Sequence, residues 1–166
     1  MATYHAKTTN GLSFEVSKDS EVIGQLTYGS LLKFNAVITI ADAAYPVEPK
    51  GFWGTSIEVR RGEQVLLSFS MGWKGQIVLQ RYFSSAGEKY VFDHHGVFRE
   101  SFVLTDQDGK ELLVMKPQLR WAKMSYEYEL VTSNTLEATR DKDILILTAL
   151  HCANYYLSMT MAMMGT

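Results

Sequence analysis

The sequence predicts a mainly β fold, a closed antiparallel β-barrel around a buried hydrophobic C-terminal α-helix, on three observations. Short segments of alternating or β-rich character recur from residue 12 to residue 131. Turns rich in Gly, Asn and Asp separate them. After them comes a segment, residues 144–164, without a single Asp, Glu, Lys or Arg. Many short strands at even spacing indicate a barrel or sandwich. An apolar helix of that length either spans a bilayer or fills the middle of a domain.

The elements follow in chain order. Residues 12–16 alternate behind Asn10-Gly11, and residues 22–28 and 32–40, rich in β-branched and aromatic side chains, are split by Gly29-Ser30. Residues 55–60 and 64–71 flank Arg61-Gly62-Glu63, a short hairpin loop. Met71-Gly72-Trp73-Lys74-Gly75 then punctuates before residues 76–83. Residues 89–92 and 97–104 surround Asp93-His94-His95-Gly96, which reads as a hairpin tip. The clearest hairpin joins residues 102–105 to 111–115 through Asp106-Gln107-Asp108-Gly109, because Asp and Gly tolerate the left-handed backbone a tight loop needs. In residues 125–131, Tyr126, Tyr128 and Leu130 share one face and Glu127 and Glu129 the other. The count is ten or eleven strands. Residues 42–54 hold Pro46 and Pro49 and read as a loop, with a helical turn at 42–45.

The terminal helix is expected over residues 141–164, with Asp141 or Asp143 as its cap and about 21 residues after it spanning about 32 Å at ~1.5 Å per residue. Two features turn it inward. Helical spacing gathers Thr148, His151, Asn154, Tyr155 and Ser158 into a weakly polar stripe opposite Leu145, Ala149, Cys152, Tyr156, Met159 and Met163. Its flanking charges, Arg140, Asp141, Lys142 and Asp143, are mixed, whereas a membrane anchor is oriented by a basic cluster. A barrel of eleven or twelve strands has room for an axial helix ~10–12 Å across. No transmembrane span is therefore expected.

At 166 residues the chain is of single-domain size, and 46% hydrophobic content excludes disorder. A net charge of −2 gives no nucleic-acid footprint. The lone Cys152 makes no internal disulfide, and the first residues lack the basic-then-apolar pattern of a signal peptide, so a cytoplasmic location is expected.

Two stretches, Phe102-Val103-Leu104-Thr105-Asp106-Gln107-Asp108-Gly109-Lys110-Glu111-Leu112-Leu113 and Asp143-Ile144-Leu145-Ile146-Leu147-Thr148-Ala149-Leu150, resemble the tubby C-terminal-like superfamily, as does the order of strands ending in an apolar helix. That group includes tubby proteins, phospholipid scramblases and LURP-one-related proteins. The resemblance covers mainly the second half of the chain. It implies a single tubby-like domain over residues 1–166, about 12 strands closed around a central helix, and a non-enzymatic association with phosphoinositide or membrane lipid. The basic phosphoinositide pocket of tubby proteins has no residue-by-residue match here. The proline-rich and cysteine-rich segments of scramblases are also missing.

Candidate chemistry is sparse. Asp93-His94-His95 could meet a metal only if a turn bends the two rings together, since neighbours on a strand face opposite ways. Asp106–Glu111 has its Gly in fourth place, not sixth as a calcium loop needs, so a hairpin turn is the reading. Cys152 beside His151 reads as core packing, because an apolar setting disfavours the thiolate. No serine elbow, phosphate-binding glycine loop or zinc spacing is present, so no catalytic residue, cofactor or metal site is assigned. The candidate anion- or lipid-binding residues are Arg60, Arg61, Lys74, Arg81, Arg120 and Lys123, with Trp53, Trp73 and Trp121 nearby in sequence. They are equally compatible with an ordinary solvated face. The expected function is binding of anionic lipid, a membrane surface or a protein partner through such a basic patch. The alternative is a helix-grip or lipocalin-like carrier of an apolar molecule held between helix and sheet.

Overall fold

The computed structural model describes the chain apart from residues 9, 31–32, 51–55, 72–74, 83–86, 97–99, 124 and 165–166, and apart from the side chains of 33–34, 71, 123, 125 and 160–164. Twelve antiparallel strands close into one barrel in simple sequence order, with β1 (Ala2–Thr8) pairing β12 (Ser125–Thr132) to seal it. Between them run β2 (Ser13–Lys18), β3 (Glu21–Ser30), β4 (Lys33–Ile40), β5 (Ala43–Lys50), β6 (Ser56–Arg61), β7 (Gln64–Met71), β8 (Ile77–Arg81), β9 (Lys89–His95), β10 (Ser101–Asp106) and β11 (Glu111–Arg120). Register shifts in the β2–β3, β3–β4, β6–β7 and β10–β11 ladders add the local bend that closure needs.

A short helix α1 (Asn134–Glu137), capped by the Ser133 hydroxyl, turns the chain into α2 (Lys142–Met164). The helix enters the barrel at the rim where β1 begins and β12 ends, here called the base. It runs toward the opposite rim, the crown, where Tyr156 stacks on His94 of β9. From Leu145 to Ala153 nine consecutive residues are fully buried. They pack against the inward side chains of the wall, among them Leu26, Ile38, Leu67, Leu79, Phe92, Leu104, Met115 and Leu130. Gly24 of β3 lets the helix approach closely: a Cβ there would lie 2.5 Å from Leu147 Cδ1 and 2.9 Å from the Thr39 carbonyl oxygen. The long apolar tail is thus the axis of the core. No helix among the described residues is long and apolar enough to cross a membrane.

Polar atoms tie the helix at two levels. At the base the Glu137 carboxylate accepts from Tyr4 of β1 (2.8 Å), Thr132 of β12 (2.5 Å) and the Lys142 ammonium. Burial opposes ionisation of Glu137, but the hydrogen bonds from Lys142, Thr132 and Tyr4 outweigh it and hold the carboxyl at about 2. Deeper in, Tyr128 donates to Asn154 Oδ1 (2.7 Å), Asn154 Nδ2 donates to the Tyr28 hydroxyl (3.2 Å), and Tyr28 meets His151 Nδ1 at 2.7 Å. Asn154 already donates to the Tyr28 oxygen, so the Tyr28 proton goes to Nδ1 and the neutral ring carries its own on Nε2. The polar stripe is only partly satisfied, since His151 Nε2 and Thr148 Oγ1 are buried without a hydrogen-bond partner.

Three local expectations are corrected. Residues 43–50 form β5, not a loop. Each proline sits where the strand has a ladder on one side only: Pro46 opposite Val37 before the β6 ladder starts at Val47, and Pro49 opposite Ile57 beyond the end of the β4 ladder. The missing N–H can therefore affect one ladder at most. Residues 2–8 form β1, a strand with small or polar inward residues Ala6 and Thr8 that hide its alternation. Asp93-His94-His95 is the end of β9, not a hairpin tip. The cap also differs: Asp141 has left-handed φ of 58°, and Asp143 Oδ1 is buried without a partner.

Candidate functional site

Antiparallel closure sorts the candidate basic residues onto two rims. Arg60 and Arg61 end β6 and Arg81 ends β8, all at the base. Arg120 ends β11 and Lys123 ends the single 3-10 turn Trp121–Lys123, both at the crown. Lys74 lies outside the described residues, as do Trp53 and Trp73. Arg60, Arg61 and Arg81 therefore share no patch with Arg120. Arg60 is engaged by Glu58 at 2.7 Å on its own strand. Arg81 points inward, buried, and reaches Glu88 at 3.0 Å and the Tyr90 hydroxyl at 3.2 Å. Burial, with the Glu88 carboxylate beside it, pushes the Tyr90 hydroxyl up to about 12.

The crown is different. Its connections and the strand positions next to them place Lys7, Lys33, Lys50, Arg120 and Lys123 there with Glu100, and two of these cations are already engaged, Lys50 by Glu48 at 3.8 Å and Arg120 by Glu127 at 3.0 Å. The base carries both signs, Asp19, Glu21, Asp42, Glu63, Asp106 and Asp108 beside Lys18, Arg60, Arg61, Arg81, Lys89 and Lys110. The crown is thus the more basic of the two rims, which a net charge of −2 does not show.

On the outer wall at the crown, an open groove of about 520 Å³ is lined by Lys7, Leu119, Arg120, Trp121, Ala122 and Glu127. The β1–β12–β11 order creates it: Lys7 comes from β1, Glu127 from β12, and the rest from the end of β11 and the turn that follows. Glu127 faces outward in the register, opposite Gln118, yet is only 5% exposed because the neighbouring side chains cover it. Its Oε2 accepts from Arg120 Nε at 3.0 Å, while Arg120 Nη2 meets Gln118 Oε1 at 3.4 Å. Trp121 is 76% exposed, an unusual position for a large apolar ring. Of this groove only Arg120 was singled out by sequence, with Trp121 as a neighbour. Lys7 and Glu127 gave no signal because closure alone brings β1 beside β12.

The remaining candidates take structural positions. His94 stacks on Tyr156 (5.1 Å between centroids) and meets Phe102 at a tilt of 54° (5.3 Å), and its neighbour His95 is exposed. No three His, Cys, Asp or Glu groups among the described residues could hold a metal ion together. Asp106 Oδ1 accepts from the backbone N–H of Asp108 and Lys110, both at 2.9 Å, which makes the Asp-x-Asp-Gly segment a hairpin turn. Cys152 is buried, and burial pushes its thiol well above the usual range. Burial likewise lowers His151 to about 4. No protein-family model matches the chain, and neither curated proteins nor solved structures yield a match.

Proposed function

We propose that the chain is a non-enzymatic, tubby-like barrel that meets an anionic lipid surface with its crown. The observation that carries this reading is that Lys7, Lys50 and Arg120 lie at strand ends on one rim, with Lys33 and Lys123 at neighbouring backbone positions and exposed Trp121 directly after Arg120. Basic side chains near an anionic leaflet contribute ~1 kcal/mol each, and tryptophan favours the headgroup level, where an apolar ring and a polar edge are both accommodated. The twelve-stranded barrel with its axial helix is the architecture the tubby resemblance implies. A cytoplasmic location belongs to the same reading, because the anionic leaflet faces that side. The carrier alternative needs space beside the helix, and the full burial of residues 145–153 leaves none along that stretch.

Vesicle flotation tests the proposal. Binding is expected to vesicles containing phosphatidylserine and not to neutral ones, and to weaken with salt. Lys7→Gln and Lys50→Gln should each reduce it about fivefold. Equal recovery with both vesicle types would remove the lipid reading and leave a protein partner as the crown's target.

A further inference from the structure

We infer that the end of α2 projects from the crown as a wedge that enters the headgroup layer of an anionic bilayer. This deepens the membrane reading and rests on it for the surface that is met. The wall stops before the helix does. Asn154 of α2 lies at the level of Tyr28 on β3 and Tyr128 on β12, to which it is hydrogen-bonded. Beyond that level β3 has two residues left, ending at Ser30, and β12 has three, starting at Ser125. At ~3.3 Å per residue these strand ends rise ~7–10 Å at most. The helix runs on for ten residues, to Met164, or ~15 Å at ~1.5 Å per residue. Its last turn therefore stands clear of both strands. Tyr156 gives the same result, stacking on the last residue but one of β9 with eight helical residues still to come.

Burial agrees with this geometry. Leu157 is the last buried side chain of α2 among the described residues, and Ser158 and Met159 are exposed, Met159 at 39%. Residues 158–164 read Ser-Met-Thr-Met-Ala-Met-Met, without a charge and with four of the chain's 8 methionines. A helix end that meets only water would carry charged or strongly polar residues. Methionine, unbranched and with three rotatable bonds, adapts to irregular apolar surroundings such as the upper acyl chains of a bilayer. Charge selects that occupant, because the uncharged tip emerges at the more basic of the two rims, where Lys7 and Lys50 lie at strand ends. Stable association takes two such signals, an apolar insertion and a basic patch. The depth is bounded as well. The last carbonyls of a helix have no partner within it, and hydrocarbon offers no donors. The tip therefore stops among the headgroups, the level that also suits the exposed Trp121 at this rim.

Full-length Met163→Cys protein carrying an environment-sensitive fluorophore tests the wedge, since Cys152 is buried and stays unlabelled in the folded state. On vesicles containing phosphatidylserine the emission is expected to shift to the blue. Nitroxides at the headgroup end of the acyl chains should quench it more than nitroxides at the bilayer centre. Met159→Gln should weaken flotation about threefold and leave the thermal melt unchanged, because that side chain is exposed. Selective flotation with a label that keeps its aqueous emission would overturn the wedge and leave the surface reading standing. A Met159→Gln variant that floats as wild type, or quenching strongest at the bilayer centre, would do the same. Wild-type protein that does not float on these vesicles would remove the membrane reading and the wedge with it.

Discussion

His151 lies on α2 between the rings of Tyr28 (5.4 Å between centroids) and Phe69 (5.7 Å), with one nitrogen satisfied by Tyr28 and the other by nothing. A charged imidazolium there would lose its hydration without gaining a counter-ion, since the Tyr28 hydroxyl and the Cys152 thiol both stay neutral well above the physiological range. The folded state therefore holds the ring neutral down to about 4, while the unfolded chain takes up the proton near 6.5. Acid thus favours the unfolded chain. Stability should fall as pH drops from 6.5 and the loss should be complete near 4, amounting to roughly 3 kcal/mol. Urea denaturation across that range, comparing wild type with His151→Gln, checks it: the variant should lose this part of the slope. The Glu137 carboxylate contributes separately and lower, since its hydrogen bonds stabilise the fold above about 4.5 and are lost as pH falls toward 2. Parallel slopes in wild type and variant between pH 6.5 and 4 would show that His151 is not the group responsible.

At the scale of elements, the contact between α2 and β3 sets how deeply the helix sits. Gly24→Ala should destabilise the fold by about 1–3 kcal/mol, because its Cβ would meet both Leu147 and the rigid Thr39 carbonyl. A thermal melt unchanged by that substitution would mean the helix stands farther from the wall. Most elements were legible because their inward residues are large and alternate, as Leu26 and Tyr28 do on β3 and Leu67 and Phe69 on β7. The misses share a physical cause. On β1 the inward Ala6 and Thr8 are too small or too polar to show a period, and on β5 prolines that normally break strands fall where only one neighbouring strand is paired. His94 reads as polar until Tyr156, far along the chain, supplies the ring it stacks on. The groove was less legible still. Residues 7 and 127 become neighbours only through barrel closure, which no local pattern encodes.

For the whole molecule the decisive relation is between the helix and the closed sheet. Full burial of a large apolar side chain contributes ~1.5–3 kcal/mol, so Ile144, Leu145, Ile146, Leu147, Leu150 and Leu157 together match a domain's entire net stability of ~5–15 kcal/mol. A barrel of this width without its axis would face an unfilled interior, and its wall has no second apolar layer to collapse onto. The charge-free tail is therefore a folding requirement, and the proposed recognition is left to the crown. Truncation after Arg140, followed by circular dichroism and thermal denaturation, tests this most directly. The account predicts a chain with no cooperative unfolding transition; a truncated protein that retains the β spectrum and melts cooperatively would contradict it.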